Sequence, residues 1–140
     1  MLKGINPLLG PDLLFALRSM GHGDEIAIVD GNYPAVADAR RLIRADGHGA
    51  MALLDAILSV MTLDNMVSQA AFIPHTDVPQ ICHGEFQGVV KKYEAKITLT
   101  PLRGQAFYER VKGAFAIVAS SEVALYGNIV LRKGVIYPAK

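Results

Sequence analysis

Residues 20–34 read MGHGDEIAIVDGNYP, a short apolar run between two groups of turn-forming residues. The run EIAIV (residues 25–29) contains three β-branched residues and predicts a buried strand. His22 lies between two glycines before this strand, and Asp30 follows it directly. Because ligand sites in open α/β sheets lie beyond the carboxyl ends of the strands, Asp30 occupies a position typical of a binding residue and is expected to be partly exposed.

Helices and short apolar strands alternate on both sides of this run. Helices are predicted where apolar residues recur every three or four positions, and strands where short β-rich runs occur. The alternation indicates an α/β fold, a single domain over residues 1–140 with a largely parallel sheet flanked by helices. The predicted helices cover residues 11–20, 49–61, 88–96 and 105–114, and the further predicted strands cover residues 41–47, 65–73, 96–100, 115–120 and 126–136, the last as one strand or two.

Two local expectations complete this prediction. Gly21 is expected to end the first helix in the left-handed conformation that glycine adopts readily. The segment from Pro74 to Gly88 is rich in turn-forming residues and is predicted to be irregular.

The composition restricts the classes of partner. Of 140 residues, 51% are hydrophobic, the formal net charge is +1 and no basic tract occurs, so neither a nucleic acid nor a membrane is expected as partner. Cys82 is the single cysteine and cannot form an intrachain disulfide, and the N-terminal residues lack the apolar stretch of a signal peptide. Both features predict a cytoplasmic protein.

No motif for a metal or a nucleotide cofactor is complete. His75, Cys82 and His83 do not follow a zinc-binding spacing, and the GHG at residues 47–49 lacks the remainder of a dinucleotide-binding fingerprint. No nucleophile elbow occurs either. Neither a metal nor a cofactor is therefore expected.

His22 and Asp30 each have a functional and a structural interpretation. Glycines on both sides of His22 would let the backbone aim the imidazole and let a ligand approach, and both residues would then border one cleft. Alternatively, His22 interacts with the last carbonyls of the preceding helix and Asp30 only stabilises a turn.

Four blocks in order carry a resemblance to a known family. They are GHGDEI (21–26), IRADG (43–47), AFYERVKGAFAIV (106–118) and YGNIVLRKGV (126–135). Their order and spacing resemble the L-fucose mutarotase and D-ribose pyranase family, and GHGDE, FYER and YGN are nearer the fucose branch. The stretch 66–100 shows little that matches.

The resemblance implies an isomerase that interconverts the α and β anomers of a free sugar, L-fucose or a related aldose, without a cofactor. The ring opens to the aldehyde, the carbonyl turns over, and the ring recloses as the other anomer. One proton goes onto the ring oxygen and one leaves the anomeric hydroxyl, which is chemistry that a histidine performs near neutral pH.

The resemblance also implies the roles of individual residues and an assembly. His22 matches the acid–base residue, and Asp30 would hold a hydroxyl or orient the imidazole. Ring-shaped homo-oligomers, commonly decamers of two pentamers, would carry sites at subunit boundaries where YGN of one chain meets GHGD of another. The other implied substrate-binding residues are Asp64, Arg103 (the arginine nearest the family position), Tyr108, Tyr126 and Asn128.

Two further functions are compatible with these residues. A D-ribose pyranase would reclose the ring on a different hydroxyl, and a non-catalytic monosaccharide-binding module linked to sugar uptake would need the same hydroxyl-binding groups. The histidine favours an enzyme, because binding alone does not require a group that titrates near neutral pH. The alternative for Tyr108 is a place in a helix core, and for Asn128 a turn before a strand.

Overall fold

The computed structural model describes residues 1–140, which contain five helices and six strands. None of the helices combines the length and the apolar character needed to cross a membrane. The helices are α1 (Pro11–Ser19), α2 (Ala35–Asp38), α3 (Ala50–Leu58), α4 (Ile81–Tyr93) and α5 (Gln105–Gly113). The strands are β1 (Glu25–Val29), β2 (Leu42–Ala45), β3 (Ala71–Pro74), β4 (Thr100–Leu102), β5 (Ala116–Ser120) and β6 (Ile129–Arg132).

The six strands form one sheet in the order β2-β5-β1-β6-β3-β4. β1, β2 and β5 pair in parallel, as do β3 and β4, whereas β6 runs antiparallel to both of its neighbours. A parallel return needs a crossover of about a dozen residues or more, and only residues 121–128 join β5 to β6. The predicted α/β fold with a largely parallel sheet and flanking helices is therefore confirmed, with β6 as the exception.

The sheet has a hydrophobic core on each face. Successive β1 side chains alternate between them, so that Ile26 and Ile28 join the larger core under α1, α3 and α4. Ala27 and Val29 join the smaller core, which α5 covers with Phe107. Both faces of β1 are thus buried, as the uninterrupted apolar run predicts.

Helix α4 is the main difference from the predicted elements. It begins at Ile81, inside the segment predicted to be irregular. Cys82, Phe86 and Val90 recur every four residues and are all buried, so tertiary packing holds the helix despite the two glycines within it. β3 is shorter than the strand predicted at residues 65–73, and β4 begins later than the strand predicted at residues 96–100. Residues 126–136 contain one strand, β6.

The end of α1 also differs from the expectation. The chain leaves the helix through Met20, which is extended with φ −63° and ψ 137°. Gly21 is not left-handed, and of the two glycines that flank His22 it is Gly23 that has positive φ, at 87°. The turn that carries His22 therefore follows the helix rather than ending it.

Replacement of Phe86 tests the buried stripe of α4. Its side chain is 1% exposed, so Phe86→Ala should lower the free energy of unfolding by about 3–5 kcal/mol through lost burial and a cavity. Urea unfolding monitored by circular dichroism measures this. The neighbouring exposed residue supplies the control, Glu85→Ala, for which a change below about 0.5 kcal/mol is expected. Equal effects of the two substitutions would contradict the packing of α4.

Candidate active site

The candidate site residues lie at two opposite edges of the sheet. We call the edge where β1 begins the amino edge and the edge where it ends the carboxyl edge. His22 precedes β1 and Asp30 follows it, so the length of the strand, about 16 Å, separates them. Within one chain the two residues therefore do not border a single cleft, contrary to the expectation from the sequence.

A buried carboxylate meets an exposed imidazole at the amino edge. His22 Nε2 lies 3.1 Å from Asp64 Oδ2, and the side chains are 42% and 1% exposed, respectively. Arg132 Nε donates a hydrogen bond to the same oxygen at 2.9 Å. The other carboxylate oxygen, Oδ1, accepts the Met66 N–H at 3.0 Å. Asp64 is therefore fixed from three directions and holds one side of the imidazole.

These hydrogen bonds determine the ionisation of Asp64. Burial alone would raise the pKa of its carboxyl group, but donation from Arg132, the Met66 N–H and His22 outweighs burial and holds the pKa below the ordinary value. Asp64 is consequently a carboxylate at neutral pH and only accepts hydrogen bonds.

Arg132 belongs to a longer series of alternating charges that was not predicted from the sequence. Its Nη1 lies 3.9 Å from Glu25 Oε2. Arg110 Nε and Nη2 donate to the two oxygens of Glu25 at 2.9 and 2.7 Å, and the Arg110 guanidinium lies 3.6 Å from the centre of the Phe72 ring. Glu25 and Arg132 face each other in the β1–β6 register. That pairing depends on strand order, which no local pattern reveals.

The turn that carries His22 is closed by several hydrogen bonds. Asp24 Oδ2 accepts the Gly21 N–H at 2.8 Å, and the Gly23 N–H donates to the Lys133 carbonyl at 2.9 Å. Lys133 Nζ donates to the Leu17 and Met20 carbonyls at 2.7 and 2.6 Å, respectively. The imidazole therefore projects from a fixed turn.

Gly23 in this turn serves two needs. Its φ of 87° is unfavourable for other residues, and a Cβ atom there would lie 3.0 Å from the Arg132 guanidinium. The glycine lets the His22 turn lie directly against Arg132.

A second polar pair occupies the carboxyl edge. The Asp30 N–H donates to Asn128 Oδ1 at 2.7 Å, and Asn128 Nδ2 donates to Asp30 Oδ2 at 3.2 Å. The remaining Asp30 oxygen, Oδ1, accepts the Asn32 N–H at 3.0 Å. This contact stabilises the turn, which is the structural role that the sequence offered for Asp30 beside a binding role. Asp30 is only 7% exposed, less than expected, because Asn128 covers it. It nevertheless borders a cavity of about 430 Å³ with Tyr33 and Ser120.

The connection between β5 and β6 places Tyr126 beside this pair. Tyr126 is 46% exposed and has a φ of 59°, which is rare for a residue other than glycine. His83 Nε2 lies 2.8 Å from the Tyr126 carbonyl, and Glu122 Oε1 accepts the Ala124 N–H at 3.0 Å. His83 and Glu122 were not predicted as site residues, because their partners lie on another element or on the backbone.

The remaining predicted residues also lie on the carboxyl side. Arg103 follows β4 and is exposed. The Tyr108 ring on α5 is 40% exposed, not in the helix core, and its centre lies 6.2 Å from that of Tyr33. The structure therefore brings His22 together with Asp64 at one edge, and it places Asp30, Arg103, Tyr108, Tyr126 and Asn128 toward the other.

Comparison with known proteins identifies the family. The RbsD / FucU transport protein family matches residues 3–136. This chain belongs to that family. A fucose mutarotase of Bos taurus is 42% identical over 147 residues, which cover 99% of this chain and 96% of the relative. The resemblance predicted from the sequence is thereby confirmed, and so is the prediction of an isomerase.

Two solved structures of RbsD/FucU proteins share the fold. Fucose mutarotase of Streptococcus pneumoniae in complex with L-fucose has a TM-score of 0.93 and 42% identity, covering 97% of this chain and 100% of that one. Bacillus subtilis RbsD complexed with D-ribose has a TM-score of 0.77 and 20% identity, covering 98% of this chain and 100% of that one. The second likeness concerns the fold alone.

The lowered pKa of Asp64 makes stability depend on pH. Folding favours the carboxylate, so its contribution is complete above the unfolded pKa of about 4 and is lost as pH falls through the lower folded value. In urea unfolding between pH 2 and 7, Asp64→Asn should therefore lose less stability on acidification than the unsubstituted protein. Asp12→Asn, at an exposed position of α1, is the control. Parallel acid profiles for the unsubstituted protein and Asp64→Asn would contradict this role.

Proposed function

We propose that this protein is an L-fucose mutarotase, which interconverts the α and β anomers of free L-fucose or a related aldose. The observation that carries the proposal is the exposed His22 imidazole held by the buried Asp64 carboxylate. The 42% identity to a fucose mutarotase crystallised with L-fucose supports the choice of sugar. We assign the activity to one domain spanning residues 1–140 and, because its single cysteine suits a reducing compartment, to the cytoplasm.

In the proposed reaction, His22 moves both protons. Because ionised Asp64 only accepts hydrogen bonds, His22 Nε2 carries the hydrogen and the Nδ1 lone pair is available as a base. Nδ1 accepts the proton of the anomeric hydroxyl while the bond between the anomeric carbon and the ring oxygen breaks. The imidazolium then protonates the ring oxygen. Reclosure on the other face of the aldehyde reverses these transfers and returns the imidazole to its neutral form.

The sugar hydroxyls would bind at the carboxyl edge. Asp30 and Asn128 offer carboxylate and amide groups, and the exposed rings of Tyr126 and Tyr108 offer apolar faces with a polar tip. Arg103 would add a further donor. The cavity of about 430 Å³ beside Asp30 lies within the size range of small-molecule sites.

A complete site then requires two chains. Within one chain, the proposed acid–base residue and the proposed hydroxyl-binding residues are separated by the length of β1. The amino edge of one subunit placed against the carboxyl edge of its neighbour would unite them, and repetition of this head-to-tail contact closes a ring. We therefore propose a ring-shaped homo-oligomer, a decamer of two pentamers, with the sites at subunit boundaries and Asp64 at the same boundary as His22.

Substitution of His22 tests the catalytic assignment. His22→Ala should lower the rate of exchange between α- and β-L-fucose by about 10²-fold or more, because general acid–base catalysis is lost. Saturation-transfer NMR of the two anomeric protons measures this rate. The same spectra report exchange with the furanose forms, which a pyranase would accelerate. Lys92→Met, which breaks an exposed ion pair with Asp55 between α4 and α3, is the control and should leave the rate unchanged. Full activity of His22→Ala would exclude this mechanism.

Mixing two inactive variants tests the shared site. If His22 and Tyr126 of one site come from different subunits, mixed oligomers of His22→Ala and Tyr126→Ala contain some boundaries with both residues intact. Activity should then return after subunit exchange, which native mass spectrometry follows. Absence of activity despite proven exchange would show that each chain holds its own site. Light scattering that gives a monomer of 15.1 kDa would refute the ring.

A further inference from the structure

We propose that Arg132 is a positioning residue of the mutarotase site, where its guanidinium balances the charge of Asp64 and so keeps the neutral form of His22 available. The inference rests on the proposed function, since it assigns a role to a residue behind the proposed acid–base histidine. It depends on a geometric fact, the sharing of one carboxylate oxygen by two donors.

Asp64 Oδ2 is the shared oxygen. His22 Nε2 lies 3.1 Å from it, and Arg132 Nε donates to it at 2.9 Å. A buried carboxylate beside an imidazole stabilises the imidazolium, which cannot accept a proton. A guanidinium on the same oxygen opposes that effect, because it attracts the carboxylate and repels a second positive charge. Arg132 therefore lets Asp64 orient the ring without fixing it in the protonated form.

The position of Arg132 is itself fixed by the neighbouring charges. Its Nη1 lies 3.9 Å from Glu25, which Arg110 binds with two hydrogen bonds of 2.9 and 2.7 Å. The formal charges of Arg110, Glu25, Arg132 and Asp64 sum to zero. Protonation of His22 therefore gives the cluster a net positive charge. Without Arg132 the cluster would carry a net negative charge while His22 is still neutral, and this charge would favour protonation.

Three further charged groups lie near the turn that carries His22, and none of the substitutions proposed below changes them. Asp24 accepts the Gly21 N–H, and Lys133 Nζ is bound to two carbonyls at the end of α1. Arg18 lies on the same helix, close enough to Lys133 to help lower the pKa of that amine, for which burial is the main cause. These groups set a constant background, so a difference between variants at Arg132 reports on Arg132.

Two substitutions should move the pH–rate profile in opposite directions. The rate of L-fucose anomer exchange declines toward acid pH, because the neutral imidazole acts first. Arg132→Met should move this acid limb to higher pH by about one pH unit or more, and Asp64→Asn should move it to lower pH. Arg132→Lys keeps the charge, so its acid limb should coincide with that of the unsubstituted protein even where its maximal rate is lower. A merely structural arginine would lower the rate without moving the limb.

The double substitution guards against loss of folding in Arg132→Met, where a buried carboxylate would lack its partner. Asp64→Asn/Arg132→Met has no such carboxylate, and its acid limb should lie about one pH unit or more above that of Asp64→Asn. Lys92→Met, which breaks the exposed ion pair with Asp55 at 2.9 Å, is the matched control and should leave the profile unchanged.

A readout that does not require activity separates this inference from the proposed function. NMR titration of the imidazole carbon-bound protons gives the protonation midpoint of His22, assigned by the signal that His22→Ala lacks. The midpoint should rise in Arg132→Met, or in the double variant relative to Asp64→Asn. An unchanged midpoint would overturn the role of Arg132 while leaving mutarotase activity intact. If the His22 midpoint rises as expected but the unsubstituted protein does not accelerate anomer exchange, the effect of Arg132 on His22 stands and the proposed function is refuted.

Discussion

The antiparallel return of β6 beside β1 is the constraint on which the rest of the structure depends. Residues 121–128 cross the end of β1 and deliver Asn128 to Asp30, where the buried Asn128 amide accepts the Asp30 backbone N–H and donates to the Asp30 carboxylate. β6 then runs back along β1 and places Arg132 opposite Glu25. From there the guanidinium also reaches Asp64. One strand pairing therefore assembles both edge clusters.

The same pairing explains why the two clusters are chemically different. At the carboxyl edge, the Asp30 carboxylate is bound by the Asn128 amide and one backbone N–H, which leave its negative charge uncompensated by any cation in direct contact. At the amino edge, Asp64 is 1% exposed and is bound by a guanidinium, because a carboxylate buried so deeply requires a charged partner. The first environment suits hydroxyl donors, and the second suits proton transfer through an imidazole.

The sequence predicted those elements whose burial is visible locally. EIAIV and FAIVAS are continuous apolar runs, and QAFYERVKGA has a buried stripe at helical spacing, so β1, β5 and α5 appear close to their predicted positions. The predicted helix at residues 88–96 overlaps only the second half of α4, and the first half was missed because glycines interrupt a stripe that only tertiary packing completes. The contact of His22 with Asp64 could not be predicted from spacing. It depends on an isolated β-bridge between Leu63, after α3, and Lys133, after β6, which brings the neighbouring Asp64 to the amino edge. His22 and Asp30 were expected in one cleft because both flank β1, but a strand separates the residues at its two ends.

The chemistry proposed for His22 places an unusual demand on its surroundings. Mutarotation proceeds slowly without a catalyst, so acid–base help worth about 3–5 kcal/mol of barrier suffices. The imidazole must accept a proton and then release it within one turnover, and an environment that strongly favours either form would slow one of the two transfers. A carboxylate alone would favour the charged form, and a guanidinium alone would favour the neutral form. A cluster whose charges sum to zero, with the carboxylate nearest the ring, therefore suits the chemistry proposed for His22.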